Sequence, residues 1–162
     1  MSPSAGADRW SHAYDPASKV FRFSSWHLLP GDPDAFYEEL HDIEAWPSWW
    51  PQVRSVEPID DRSGYVAIRS FLPITLRLRL VALVDDAATR TLRASLHGDL
   101  TGWSQFVVQP DGAGSRLRYD QEARVTKPGA ASRFAGSARP LLVANHRSMM
   151  RTGLRALVRR AG

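Results

Sequence analysis

The sequence predicts an α+β domain in which a curved antiparallel sheet of about seven strands wraps over a long C-terminal helix, with two short helices after the first strand. Three observations carry that prediction. One strand-like run gives way to two short helical segments, six alternating runs separated by polar turns follow, and the segment after residue 129 reads as helix. Composition permits it: 162 residues, 43% of them hydrophobic and 23% charged, suit one domain with one continuous core.

Residues 1–18, rich in Ser, Ala, Gly and Asp, read as a flexible lead-in to a single domain over 19–162. They lack the apolar stretch of a signal peptide, and no run approaches the ~18 apolar residues of a membrane span, so a cytoplasmic protein without a transmembrane segment is expected. The first strand is Val20 to Leu29, ended by Pro30-Gly31-Asp32. Asp32 before Pro33 is a helix start signal, and the helix Pro33 to His41 puts Phe36 and Leu40 on one face. A second short helix from Ile43 to about Trp50 is kept short by Pro47 and Pro51.

Strand signals then run from Val53 to Ile59, Tyr65 to Phe71, and through Leu76, Leu78 and Leu80, which alternate with Arg77 and Arg79. Three more follow near Thr91–His97, Thr101–Gln109 and Ser115–Val125. In the last, Leu117, Tyr119, Gln121, Ala123 and Val125 share one face. Short turns between successive strands make them antiparallel neighbours. After Lys127-Pro128-Gly129 a helix is expected from about Ala130 to Arg160, with a kink at Pro140. Its inner arc is read as Phe134, Ala138, Leu141, Leu142, Asn145, Met149, Thr152 and Ala156.

A strongly curved sheet must have its concave face covered, and a helix laid across it touches the rims and one end. Space is expected between the two. Inward positions on that space are the candidate ligand-binding residues Trp46, Trp50, Leu76, Leu78, Leu80, Tyr119, Gln121, Leu142, Asn145 and Met149. The tryptophans could pack helices on the sheet edge or wall the pocket mouth, with Trp46 read as the anchor and Trp50 as the ring that reaches a ligand. Asn145 needs a partner, either a ligand, a water, or Tyr119 or Gln121 across the gap, and Thr152 could join that network. His97 and Asp99 could form a general-base couple, but Gly98 between them suggests a turn with both in water. His146 is placed off the inner arc, packed beside the sheet rim or capping a carbonyl.

Much chemistry is excluded. There is no cysteine, and the five histidines show no paired ligand spacing, so neither a metal nor any other cofactor is expected. No phosphate-cradling glycine loop or nucleophile elbow occurs. The net charge of +4 invites a nucleic-acid partner, but the cations alternate along strands without clustering, so no specific nucleic acid is expected. Oligomeric state is not legible.

Phe23-Ser24-Ser25-Trp26-His27-Leu28, Pro33-Asp34-Ala35-Phe36-Tyr37 and Trp46-Pro47-Ser48-Trp49-Trp50-Pro51 together resemble the start of bacterial polyketide cyclase/dehydrase-type proteins of the START-like (SRPBCC) superfamily. Gly98-Asp99-Leu100-Thr101-Gly102 and Arg139-Pro140…Asn145-His146…Met149 look like matching stretches further on, so the resemblance spans about residues 20–160. It implies the helix-grip (START/Bet v 1-like) fold and a hydrophobic small molecule, lipid-like or aromatic, as partner. Because the superfamily holds carriers as well as aromatase/cyclases, it leaves binding and polyketide cyclisation by proton transfer and enolate stabilisation both open.

Overall fold

The computed structural model describes residues 8–127, 129 and 139–162. Its strands are β1 (Arg9–Asp15), β2 (Val20–Leu29), β3 (Val53–Asp60), β4 (Ser63–Ile68), β5 (Leu76–Asp86), β6 (Thr91–Gly98), β7 (Leu100–Asp111) and β8 (Gly114–Val125). They form one antiparallel sheet of eight strands in the order β1-β2-β8-β7-β6-β5-β4-β3. Between β2 and β3 lie α1 (Pro33–His41), a 3₁₀ turn (Ile43–Ala45) and α2 (Trp46–Trp49), and α3 (Arg139–Ala161) closes the chain.

The eighth strand corrects the expected count. Arg9–Asp15, assigned to the flexible lead-in, pairs residue for residue with β2 from Arg9↔Trp26 to Asp15↔Val20. Trp10, His12 and Tyr14 alternate along it, and Trp10 packs edge-on against His27 at 4.8 Å. Seven residues, most of them polar, next to a Ser/Ala/Gly/Asp-rich stretch read as lead-in until the partner strand is seen.

The predicted start signal at α1 is present. Asp32 caps the helix by accepting from the Asp34 amide at 3.1 Å, and Pro33 occupies the first turn. Phe36 and Leu40 are buried as expected, and Tyr37 donates its hydroxyl to Asp85 Oδ1 at 2.6 Å, tying α1 to β5. His41 meets the other oxygen of Asp85 at 2.8 Å. Arg160 pairs with Glu39, tying α3 to α1.

The helix α3 is held unevenly. Its C-terminal half buries Met150, Gly153, Leu154, Ala156 and Leu157 against the sheet and α1. Its N-terminal half, with Leu142, Asn145, His146 and Met149, is only partly buried and stands over a void. The buried face is therefore turned by a little less than one residue step from the predicted arc. Leu141 is 53% exposed, and Thr152 faces an outer groove shared with Arg147, Arg151 and Arg155. The true stripe runs through His146, Met150, Gly153 and Leu157, and a pattern reading that counts His and Gly as apolar-neutral misses it. Pro140 lies in the first turn of α3. Phe134, Ala138 and the expected helix start at Ala130 fall outside the described residues.

Candidate functional site

Under the N-terminal half of α3 lies a cavity of about 130 Å³. Its floor is the concave face of the sheet, supplied by alternate residues of β4, β5 and β8, so period-two alternation alone aims Leu76, Leu78, Leu80, Tyr119 and Gln121 inward. Leu142, Asn145 and Met149 form the roof, and Trp46 and Trp50 one wall. All ten residues expected around an internal space thus meet there.

Beside the cavity lies a larger groove of about 680 Å³ that opens past the 3₁₀ turn and the β3–β4 turn. Trp46, Leu80, Ser104 and Phe106 line both and stand between cavity and groove. Around the groove stand five carboxylates, Asp42, Glu44, Asp60, Asp61 and Asp85. Arg62 and Arg93 are the arginines on that rim.

Both tryptophans are anchored to backbone carbonyls and both line the cavity. Trp50 is 4% exposed, its indole N–H donates to the Met149 carbonyl at 3.2 Å, and it lies flat against α3 at Gly153. A Cβ at position 153 would fall 2.4 Å from Trp50 Cε2, so only glycine leaves the slot open. Trp46 donates to the Leu40 carbonyl at 3.2 Å, and its side chain lines both cavity and groove. The sequence holds a hint of this, because Gly153 interrupts a helix where glycine costs about 1 kcal/mol.

Polar groups enter the chamber from the sheet floor, the helix roof and the β4–β5 loop. The Tyr119 hydroxyl donates to Gln121 Oε1 beside Ser104, and burial holds the phenol protonated far above its ordinary range. Asn145 finds neither Tyr119 nor Gln121; its Oδ1 accepts the Leu72 amide at 3.3 Å, joining α3 to the β4–β5 loop. On that loop Ser70 Oγ is buried at the cavity wall without a hydrogen-bond partner among the described residues.

His146 corrects the expectation most. It lines the cavity, stacked on Phe23 at 3.9 Å between ring centroids and 5.8 Å from Tyr119. Burial, helped by the neighbouring Arg147 charge, pushes its imidazole down to about 3, so the ring is neutral at physiological pH. Its place in the stripe four residues before Met150 was the signal available in the sequence.

The His97/Asp99 couple does not assemble. Gly98 takes φ +107°, and a Cβ there would meet the Arg77 carbonyl at 2.7 Å, so the strand turns, as a glycine at that point suggests. His97 is exposed and bonds Ser95 at 3.0 Å, while Asp99 accepts from the Arg77 amide at 2.8 Å and pairs with Lys127. Among the described residues no group of three or more His, Cys, Asp or Glu could hold a metal ion, and no helix is long and apolar enough to cross a membrane.

A sheet gripping a terminal helix around an inner chamber agrees with what sequence comparison finds. The family model for polyketide cyclase/dehydrase and lipid transport proteins matches residues 16–162. The chain belongs to this family. Solved structures place this family member among START-like, SRPBCC-type helix-grip folds. A protein from Thermus thermophilus superposes with a TM-score of 0.71 at 16% identity, covering 87% of this chain and 99% of that one. A START superfamily protein from Mycobacterium smegmatis gives 0.69 at 15%, covering 86% and 96%. The ZhuI aromatase/cyclase from Streptomyces sp. R1128 gives 0.70 at 14%, covering 87% and 93%. At such identities the likeness is one of fold. No curated protein matches the chain significantly in sequence.

Proposed function

We propose that this family member binds a hydrophobic small molecule, lipid-like or aromatic and polyketide-like, between the sheet and α3. The supporting observation is a chamber walled mostly by apolar side chains that shares Trp46, Leu80, Ser104 and Phe106 with the larger groove beside it. The inner space of about 130 Å³ suits one ring-sized group, since an apolar cavity of about 150 Å³ can hold benzene. Together with the groove it reaches the ~300–1,000 Å³ usual for small-molecule sites. Unfilled, the chamber forgoes packing contacts that a ligand would restore. Native mass spectrometry of gently purified protein is expected to reveal a bound adduct. Adduct-free protein that also ignores the apolar probe N-phenyl-1-naphthylamine refutes the proposal.

A second reading, a polyketide aromatase/cyclase, draws on the protonated Tyr119 hydroxyl, which on turning from Gln121 Oε1 could donate to a developing enolate oxygen. It makes Tyr119→Phe lower turnover of a poly-β-ketone with the fold intact. Unchanged turnover dismisses it. The neutral, weakly basic His146 favours the binding reading, because a base with so low a pKa abstracts a carbon-bound proton poorly.

A further inference from the structure

We propose that the chamber selects ligands by charge state, admitting uncharged oxygen-bearing ring compounds such as phenols and aryl ketones and rejecting their carboxylate counterparts. This rests on the binding reading above and names the class of ligand for the same chamber. Three separate features of the structure converge on it.

First, among the described residues the wall carries polar groups but no formal charge: Ser70, Ser104, Tyr119, Gln121, Asn145 and His146 line it, with no Asp, Glu, Lys or Arg. An anion entering would leave water without meeting a cation, the most expensive kind of burial. A cation would meet no carboxylate. A neutral ligand avoids both penalties. Second, the uncharged wall can still orient a ligand. Ser70 Oγ lacks a partner among the described residues, Tyr119 carries a hydroxyl, and the neutral His146 ring offers one donor and one acceptor nitrogen. A single ligand hydroxyl or carbonyl can therefore be satisfied from the wall. Third, the groove adjoining the chamber is rimmed by the five carboxylates named above, against two arginines. Their field opposes an anion that approaches the chamber from that side.

Further cations that could hold an anion lie on the outer side of the helix. Arg147, Arg151 and Arg155 line a groove between β1 and α3 on the outer side of the helix. None of the three makes an ion pair with an acidic side chain among the described residues. An anionic probe is thus expected to associate weakly there, independently of the chamber.

The test is equilibrium dialysis of the full chain at neutral pH and physiological salt with 2-naphthol and 2-naphthoate, one ring system in two charge states. Ala123→Leu, which pushes a larger side chain into the cavity, reports occupancy of the chamber; Met149→Trp serves the same purpose if the first variant loses its cooperative melt. Naphthol is expected to bind at least tenfold more tightly than naphthoate and to lose at least tenfold in the filled variant, with the residual naphthoate association unchanged. If naphthoate binds within tenfold of naphthol and both are lost on filling, charge selection is overturned while the binding reading stands. If neither probe responds to filling, the binding reading itself falls and takes the selection with it.

Discussion

Replacing Gly153 by alanine separates two opposing effects that the structure allows to be weighed. In an exposed helix interior, Gly→Ala gains about 1 kcal/mol from backbone entropy. At this position the new Cβ would lie 2.4 Å from Cε2 and 2.6 Å from Nε1 of Trp50. Ordinary carbon contacts are near 3.5–4.0 Å, so either α3 or the indole must retreat by about 1 Å. The indole is pinned by its bond to the Met149 carbonyl, at 3.2 Å, and moving it forfeits about 0.5–1.5 kcal/mol. Overpacking costs a further 1–3 kcal/mol or so. The costs exceed the gain, and Gly153→Ala is expected to destabilise by about 1–3 kcal/mol. For a chain of this length that is a fall of roughly 2–4 °C in Tm per kcal/mol. Urea denaturation of both single variants and of Gly153→Ala with Trp50→Phe completes a double-mutant cycle, in which the smaller ring is expected to recover at least ~1 kcal/mol of coupling. Should Gly153→Ala prove as stable as the parent or more so, Trp50 does not seat on Gly153 and the anchoring of α3 is wrong.

His146 predicts a pH effect. Its folded-state pKa of about 3 lies below the ordinary 6.5, so between those values the unfolded chain takes up a proton that the folded chain refuses, and stability falls as pH drops through that window. Its slope is up to ~1.4 kcal/mol per pH unit, and His146→Leu is expected to remove that share and leave the one from His27, which burial also lowers, read from urea midpoints at pH 7, 5.5 and 4.5; an unchanged slope refutes the neutral ring. Tyr37→Phe removes a hydroxyl bonded to the Asp85 carboxylate and is expected to cost about 1.5–3 kcal/mol, with an unaltered denaturation midpoint as the contrary result. The same bond, with His41, holds the Asp85 carboxyl below its ordinary range, so its stabilisation is present above pH ~4 and lost as pH falls through the lowered value. Phe36→Ala empties a site with 0% exposure and is expected to cost about 3–5 kcal/mol in the same assay; a loss under ~1 kcal/mol would mean that α1 is not part of the core.

The sheet was legible because its signal is local. Leu76, Leu78 and Leu80 alternate with arginines on β5, and Leu117, Tyr119, Gln121 and Ala123 alternate on β8, and all point where alternation sends them. The α1 boundaries were legible because Asp32-Pro33 is a chemical cap. What the sequence withheld depends on partners far along the chain. β1 became visible only through its pairing with β2. The rotation of α3 is set by the slot that Gly153 offers Trp50, 103 residues earlier in the chain, and that rotation carries His146 in and Thr152 out. Asn145 was rightly placed on the chamber, but its partner Leu72 sits in an irregular loop with no periodicity to read. Cavity dimensions are sums over many such contacts, which no window of residues encodes.

Because α3 is gripped beyond Met149 and merely overhangs before it, one helix divides two duties along its length. Substitutions at Met150, Gly153 or Leu157 weaken the integrity of the domain, whereas those at Leu142, Asn145 or His146 reshape the enclosed space above a sheet already secured elsewhere. A scaffold partitioned in this way can drift towards new guests through changes near the start of its last helix while its melting behaviour stays nearly constant.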